Sequence, residues 1–212
     1  MPDAPIKVVT ADRPFAAIIL AHGAGAGQSS AFMVRAAEAL AERGLSTATF
    51  DFPYIIAGRK VPDRAPVLED AWRSAIELAR LQMPGLPLFI GGKSMGGRIA
   101  SHVAAQGGLG SIGGLVFLGY PLHPPGNPER KRDAHLPQIA EPMLFVQGSR
   151  DTFGTADEIR ALLPTLQHAT LHEISEGDHS FKVPKRAGDQ QTVLSSVFDT
   201  VAQWARDHAT RA

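Results

Sequence analysis

Residues 15–21 read Phe-Ala-Ala-Ile-Ile-Leu-Ala, an unbroken apolar run, and lead straight into His22-Gly23-Ala24-Gly25. A strand with one wet face alternates apolar and polar residues, so a run without alternation has to be covered on both faces. It is also far too short to span a bilayer. The rest of the chain offers the two covering layers. Residues 45–50, 86–90, 114–118, 143–146 and 169–174 read as further strands. Between them, apolar residues recur at helical spacing: Met33, Ala36, Ala37, Leu40 and Ala41, capped by Ser29 or Ser30 and stopped by Gly44; Leu68, Trp72, Ala75, Ile76 and Ala79, stopped near Pro84-Gly85; residues 100–105; and Val193, Leu194, Val197, Phe198, Val201 and Trp204 in a closing helix. Thr155-Ala156-Asp157-Glu158 has the form of a capping box, opening a short helix that ends at Pro164. Residues 51–66 and 119–137, rich in Pro and charge, are expected to be loops. Strands alternating with helices predict an α/β fold, a mostly parallel, doubly wound sheet with helices on both faces. At 212 residues a single domain, 1–212, is expected to hold it.

In such a sheet, chemistry gathers where the strands end at their carboxyl termini. The unusual residues sit there: the His22 and Asp51 loops, Ser94, the Tyr120 loop, Asp151 and His179. The central feature is Gly92-Lys93-Ser94-Met95-Gly96, which follows an apolar strand and precedes a helix. Gly-x-Ser-x-Gly in that context is the pattern of a sharp strand-to-helix turn that lifts a serine hydroxyl above the sheet. The motif alone is weak in a chain with 21 Gly; its context gives it weight. A phosphate-binding loop ending in Gly92-Lys93-Ser94 would need glycine at position 87, which is Pro. Ser111, in Gly110-Ser111-Ile112-Gly113, lacks the first glycine, position 109 being Leu.

A serine hydroxyl needs a base to take its proton, and the base needs an orienting carboxylate. The fold that accompanies the elbow orders them Ser, acid, His. Asp151 follows one late strand and His179 the next. His102 and His208 fall inside predicted helices, His168 and His172 flank or lie in the last strand, and His123 and His135 precede the acid. Asp178, though adjacent to His179, is poorly directed to reach its far ring nitrogen. The oxyanion of an acyl-transfer intermediate needs two aimed N–H groups. Met95, just after the serine, is expected to give one, and Ala24 in the glycine loop the other, ahead of Gly23 or Gly25. His22 is expected to hold that loop. Gly23, Tyr54, Arg59, Tyr120 and His123 are expected to line the substrate pocket. Lys93 is expected to turn inward into an ion pair, and Arg98 to be structural.

Composition narrows the partners. Lys and Arg total 21 against 21 Asp and Glu, which argues against nucleic acid or an anionic membrane. There is no Cys, hence no disulfide, thiolate metal site or cysteine nucleophile. Met1-Pro2-Asp3-Ala4-Pro5 does not have a signal peptide's pattern, and a cytoplasmic location is expected.

On these motifs the chain resembles the α/β-hydrolase superfamily. His22-Gly23-Ala24-Gly25, Gly92-Lys93-Ser94-Met95-Gly96, Gly148-Ser149-Arg150-Asp151 and Gly177-Asp178-His179 match its oxyanion loop, elbow, acid turn and histidine turn. Within the superfamily it is similar to the small, lidless members such as dienelactone hydrolase. Phe50-Asp51-Phe52-Pro53-Tyr54 and Gly119-Tyr120-Pro121-Leu122-His123-Pro124-Pro125-Gly126 look closer still to a bacterial group related to the hydrolase-like domain of a chromatin-complex subunit. Dienelactone hydrolases use a Cys nucleophile, so their substrate is not carried over. Lys93 also stands where many esterases have His. The resemblance implies a serine hydrolase without a lid domain, needing no metal or organic cofactor, acting on a small acyl compound as a monomer or homodimer. The alternatives are an acyltransferase or small peptidase with the same residues, and a non-enzymatic interaction module on a hydrolase scaffold.

Overall fold

The computed structural model describes residues 5–209; residues 1–4, part of the stretch read above for a leader, and 210–212 lie outside it. Along the chain run β1 (Lys7–Val9), β2 (Ala16–Ala21), α1 (Ala31–Glu42), β3 (Leu45–Phe50), α2 (Pro53–Ile56), α3 (Ala65–Gln82), β4 (Leu88–Lys93), α4 (Met95–Gln106), β5 (Gly114–Leu118), β6 (Met143–Gly148), α5 (Ala156–Leu162), β7 (Ala169–Ile174) and α6 (Gln190–Ala209). The strands form a 7-stranded sheet in the order β1-β3-β2-β4-β5-β6-β7. All neighbours are parallel except β1, which pairs antiparallel with β3.

The apolar run explains itself in this setting. Side chains of β2 alternate between the sheet faces, and both faces are covered. Ile18 and Leu20 pack with Met33, Ala36 and Leu40 of α1 and Val197, Phe198 and Val201 of α6. Ala17, Ile19 and Ala21 belong to the buried cluster on the other face, with Leu68, Trp72 and Ile76 of α3 and Ile99 and Val103 of α4; Ile159 of α5 extends that cluster toward the far edge of the sheet. α1 and α3 bury the stripes their spacing predicts. The capping box forms: the Thr155 hydroxyl accepts the Glu158 N–H at 3.3 Å, and Glu158 Oε2 accepts the Thr155 N–H at 2.8 Å. Ser30 stands at the N-cap of α1, but its side chain makes no capping bond.

Four details differ from the sequence pattern. β4 does not stop at Ile90 but continues through both glycines to Lys93, because Gly92 pairs with Ala21 on one side and Phe117 on the other. α4 begins at once after Ser94, so Gly96 and Gly97 are helical despite their poor propensity. The 51–66 loop contains α2, started by Pro53 with its φ already set for a helix, and Pro66 lies inside α3. β1 is not announced by the sequence, because three residues, one of them Lys7, carry too little periodicity to mark a strand. Residues 119–142 hold only the short 3-10 turn Leu136–Gln138, and among the described residues there is no large lid domain.

The sheet order positions the site. From β2 the chain moves to β3 on one side and later to β4 on the other. α1 and α4 therefore leave toward opposite faces, and a crevice opens where β2 and β4 end. Both the His22 loop and Ser94 lie at that crevice.

Candidate active site

Ser94 stands between β4 and α4 with φ 51° and ψ −118°, a conformation that a residue with a Cβ rarely adopts. Its N–H donates to Leu118 O at 3.1 Å, and its carbonyl accepts the Arg98 N–H at 3.1 Å. The two glycines of the motif have one shared cause. A Cβ on Gly92 would lie 2.3 Å from the Ala21 carbonyl oxygen, and one on Gly96 would lie 2.2 Å from the same atom. The turn is thus pressed against the last residue of β2, and glycine is needed for close approach.

His179 Nε2 lies 2.9 Å from Ser94 Oγ, and His179 Nδ1 lies 2.7 Å from Asp151 Oδ2. An ionised carboxylate only accepts, so Nδ1 carries the proton and Nε2 is left to accept from the hydroxyl. Asp151 is buried to 1 % exposure at the end of β6. Its Oδ1 accepts the Phe153 N–H at 2.8 Å, and its Oδ2 also accepts from Gln147 Nε2 at 2.9 Å. Gln147 is fixed in turn: its Nε2 donates to Gly154 O at 2.6 Å, and its Oε1 accepts the Tyr120 N–H at 2.8 Å. The Phe153 ring lies against the imidazole, centroids 4.3 Å apart. Neither Gln147 nor Phe153 was singled out from sequence. Asp178 faces elsewhere; its Oδ1 accepts the Ser180 and Lys182 N–H groups at 2.7 and 2.9 Å, closing its own turn.

A second Ser–His contact shows that proximity alone is not a site. Ser101 Oγ donates to Arg98 O at 2.6 Å and lies 2.7 Å from His135 Nε2. Ser101 is wholly buried, and burial pushes the His135 pKa down to about 4.

The glycine loop is held by His22. Its Nε2 accepts the Phe52 N–H at 3.2 Å, so Nδ1 carries the proton and donates to Gly23 O at 2.8 Å. Burial lowers the His22 pKa and keeps the ring neutral. A Cβ on Gly23 would lie 3.6 Å from the Ser94 Cβ, which places this loop directly over the serine. The Gly25 N–H donates to the Tyr54 hydroxyl at 3.3 Å and the Ala26 N–H to Gly23 O at 3.2 Å. Among the described residues, neither the Ala24 nor the Met95 N–H has a protein acceptor.

Two cavities flank Ser94. One, of about 280 Å³, is lined by Ala24, Asp63, Met95, Arg98, Arg132 and Phe153. The other, of about 400 Å³, is more apolar, with Gly23, Ala26, Phe32, Met33 and His179. A larger hollow, about 590 Å³, beside Thr10, Arg13 and Glu42, holds none of these converging groups. Among the described residues, no three His, Asp or Glu side chains cluster to hold a metal ion.

The expected pocket lining needs correction. Of the five residues, only Gly23 lines a cavity at Ser94. Tyr54 and Tyr120 are fully buried, because aromatic rings at these loop starts complete the core between sheet and helices. The Tyr120 hydroxyl donates to Arg132 O at 2.8 Å. His123 is buried with its Nε2 3.1 Å from Glu158, and Arg59 pairs with Asp63 at 2.7 Å. Arg98, expected to be structural, is instead on a cavity wall; it stands one helical turn beyond Ser94. Lys93 does turn inward, but to a carbonyl and not a carboxylate. Its ammonium donates to His179 O at 2.5 Å and sits 5.3 Å from the centre of the Phe181 ring. Burial lowers its pKa to about 8, against the pull of Asp151 and Asp178.

A parallel sheet with a serine on a strained turn after its central strand, and a histidine and an aspartate on later turns, defines the α/β-hydrolase class. The sequence matches the family described as an alpha/beta hydrolase domain over residues 14–206, and the chain belongs to it. Among solved structures, it is similar to dienelactone hydrolase from Anabaena variabilis, with TM-score 0.75 and 20% identity over 96% of this chain and 91% of that one. It is similar to an alpha-beta serine hydrolase homologue from Coxiella burnetii, with TM-score 0.73 and 17% identity over 93% and 89%. It is also similar to a serine hydrolase without a lid from Xanthomonas campestris, with TM-score 0.65 and 21% identity over 92% of each. Among the described residues, no helix is long and apolar enough to cross a membrane.

Proposed function

We propose that the chain is a single-domain serine hydrolase that cleaves a small carboxylic ester, thioester or related acyl compound through an acyl-enzyme on Ser94. The observation that carries this reading is the unbroken line from Ser94 Oγ to His179 at 2.9 Å and from His179 to buried Asp151 at 2.7 Å. Ser94 Oγ attacks the carbonyl carbon as its proton passes to His179 Nε2. Asp151 stabilises the imidazolium and holds its tautomer. The oxyanion takes the N–H groups of Ala24 and Met95, which have no protein acceptor to give up. His179 returns the proton to the leaving group as the tetrahedral adduct collapses. Water then repeats the cycle on the acyl-enzyme, with His179 again as base. Gln147 and Phe153 are positioning residues, one behind the carboxylate and one against the ring. The substrate is a small molecule, and the work is done in the cytoplasm.

A fluorophosphonate tests this reading. It is expected to modify Ser94, and Ser94→Ala is expected to lose on the order of a million-fold in kcat on a short ester. Labelling at another serine would overturn the assignment. No labelling at all would favour the interaction module.

A further inference from the structure

Arg98 and Arg132 differ from the other arginines of this chain that have defined partners. Arg43, Arg59, Arg160 and Arg186 each meet a carboxylate. Arg73 and Arg80 donate to backbone carbonyls. Arg98 and Arg132 both line the 280 Å³ cavity that contains Ser94, and among the described residues neither guanidinium has an acceptor. Arg98 Nε is buried with no partner. Leaving a charged donor desolvated and unpaired costs several kcal/mol. The two charges also repel each other, and this repulsion and burial, burial first, lower the Arg98 pKa. Their backbones are fixed, however. Arg98 lies in the first turn of α4, whose start is locked by the elbow. The Arg132 backbone is tied at both ends: its N–H donates to Leu122 O at 2.8 Å, and its carbonyl accepts the buried Tyr120 hydroxyl at 2.8 Å. Two cations thus stand beside the serine, and among the described residues neither is ion-paired with a carboxylate; Glu69 attracts Arg98 only from beyond ion-pair distance.

We propose that the substrate carries a carboxylate a few bonds from its scissile carbonyl, and that Arg98 and Arg132 bind it. Guanidinium forks match the planar carboxylate in shape and charge. Asp63 shares the cavity, but Arg59 already pairs with one of its oxygens, so it does not neutralise the two arginines. Its presence also favours a singly charged carboxylate over a phosphate dianion, which would meet about twice the repulsion. The second Asp63 oxygen is buried without a partner and remains available to an N–H or O–H on the same ligand.

This inference rests on the hydrolase reading for its setting, and the experiment separates the two. Matched ester pairs are given to the full-length protein: 4-nitrophenyl hydrogen glutarate against 4-nitrophenyl valerate, with the charge on the acyl side, and O-butyryl glycolate against propyl butyrate, with the charge on the alcohol side. In one pair the carboxylate ester is expected to lead in kcat/KM by on the order of 30-fold, as a charge-assisted contact would give. That ratio, taken within each variant, should fall to about one in Arg98→Met and in Arg132→Met and recover in part in Arg98→Lys. Circular dichroism checks that each variant is folded, and Arg132, on a loop, serves if Arg98→Met does not fold. Ratios near or below one in both pairs would overturn the proposal while leaving the hydrolase intact. If no ester is turned over, the hydrolase reading fails, and calorimetry decides this one alone. Glutarate should then bind the unaltered protein and bind Arg98→Met at least tenfold more weakly. No binding of glutarate, or tighter binding of inorganic phosphate, would overturn it.

Discussion

Replacing Asp151 by Asn removes one charge and almost no volume, so the consequence can be worked from the hydrogen bonds. The carboxylate accepts three: Phe153 N–H on Oδ1, and Gln147 Nε2 and His179 Nδ1 on Oδ2. An asparagine has one oxygen and one NH₂ for these positions. With the oxygen facing Phe153, the NH₂ meets the Gln147 donor and the imidazole, and His179 can bond to it only by moving its proton to Nε2. The nitrogen beside Ser94 then carries a hydrogen and cannot take another. With the oxygen facing His179, the NH₂ is set against the Phe153 N–H, and the turn that holds the acid is broken. The first outcome is the wrong-tautomer state, for which the expected loss is about ten-thousand-fold in kcat, or about 5.5 kcal/mol at 1.36 kcal/mol per decade, with little change in KM. Asp178 predicts the opposite. Its Oδ1 accepts two backbone N–H groups, an arrangement that an asparagine oxygen reproduces. Asp178→Asn is therefore expected to cost well under a hundred-fold. Both variants are measured on one short 4-nitrophenyl ester, with far-ultraviolet circular dichroism as the check on folding. If Asp178→Asn is the more damaging, the acid is misassigned and the Asp151 turn is structural.

Gly96→Ala would set a methyl 2.2 Å from the Ala21 carbonyl, backbone against backbone, and is expected to destabilise by about 3 kcal/mol; a melting temperature unchanged within 2 °C, where roughly 2–4 °C per kcal/mol is usual at this size, would refute the close-approach account of the motif. Lys93 has a folded pKa of about 8, below the ordinary lysine value, so the unfolded chain holds more protons between the two. Stability from this group therefore rises with pH through that window, by at most about 3 kcal/mol, and urea titrations at pH 7 to 10 should show the native protein gaining on Lys93→Met; a constant difference would refute it. Residues 119–142 form no apolar lid, so added methylenes beyond about four carbons should gain far less than the roughly 0.8 kcal/mol that full burial would give each; a steady rise in kcat/KM to twelve carbons would refute this.

What the sequence determined is what periodicity and local chemistry encode. The unalternating run at 15–21 specified a strand covered on both faces, and the stripes of α1 and α3 specified the covers. Gly-x-Ser-x-Gly between strand and helix specified an elbow, and the order of Ser94, Asp151 and His179 matched the strand ends that the alternation implied. The hydrogen bonds among these three, and the turning away of Asp178, are tertiary facts. So is the role of Gly92 and Gly96, since the atom they avoid belongs to Ala21, a neighbour only because β2 lies beside β4. Side chains on irregular loops were the least legible. Tyr54, Tyr120 and His123 read as pocket residues and are core; Gln147, Phe153, Arg98 and Arg132 carried no local signal and surround the site. A strand or helix fixes the direction of each side chain by its repeat, so burial can be read from spacing. A loop has no repeat, and the direction of its side chains is set by whichever distant segment the sheet order brings alongside.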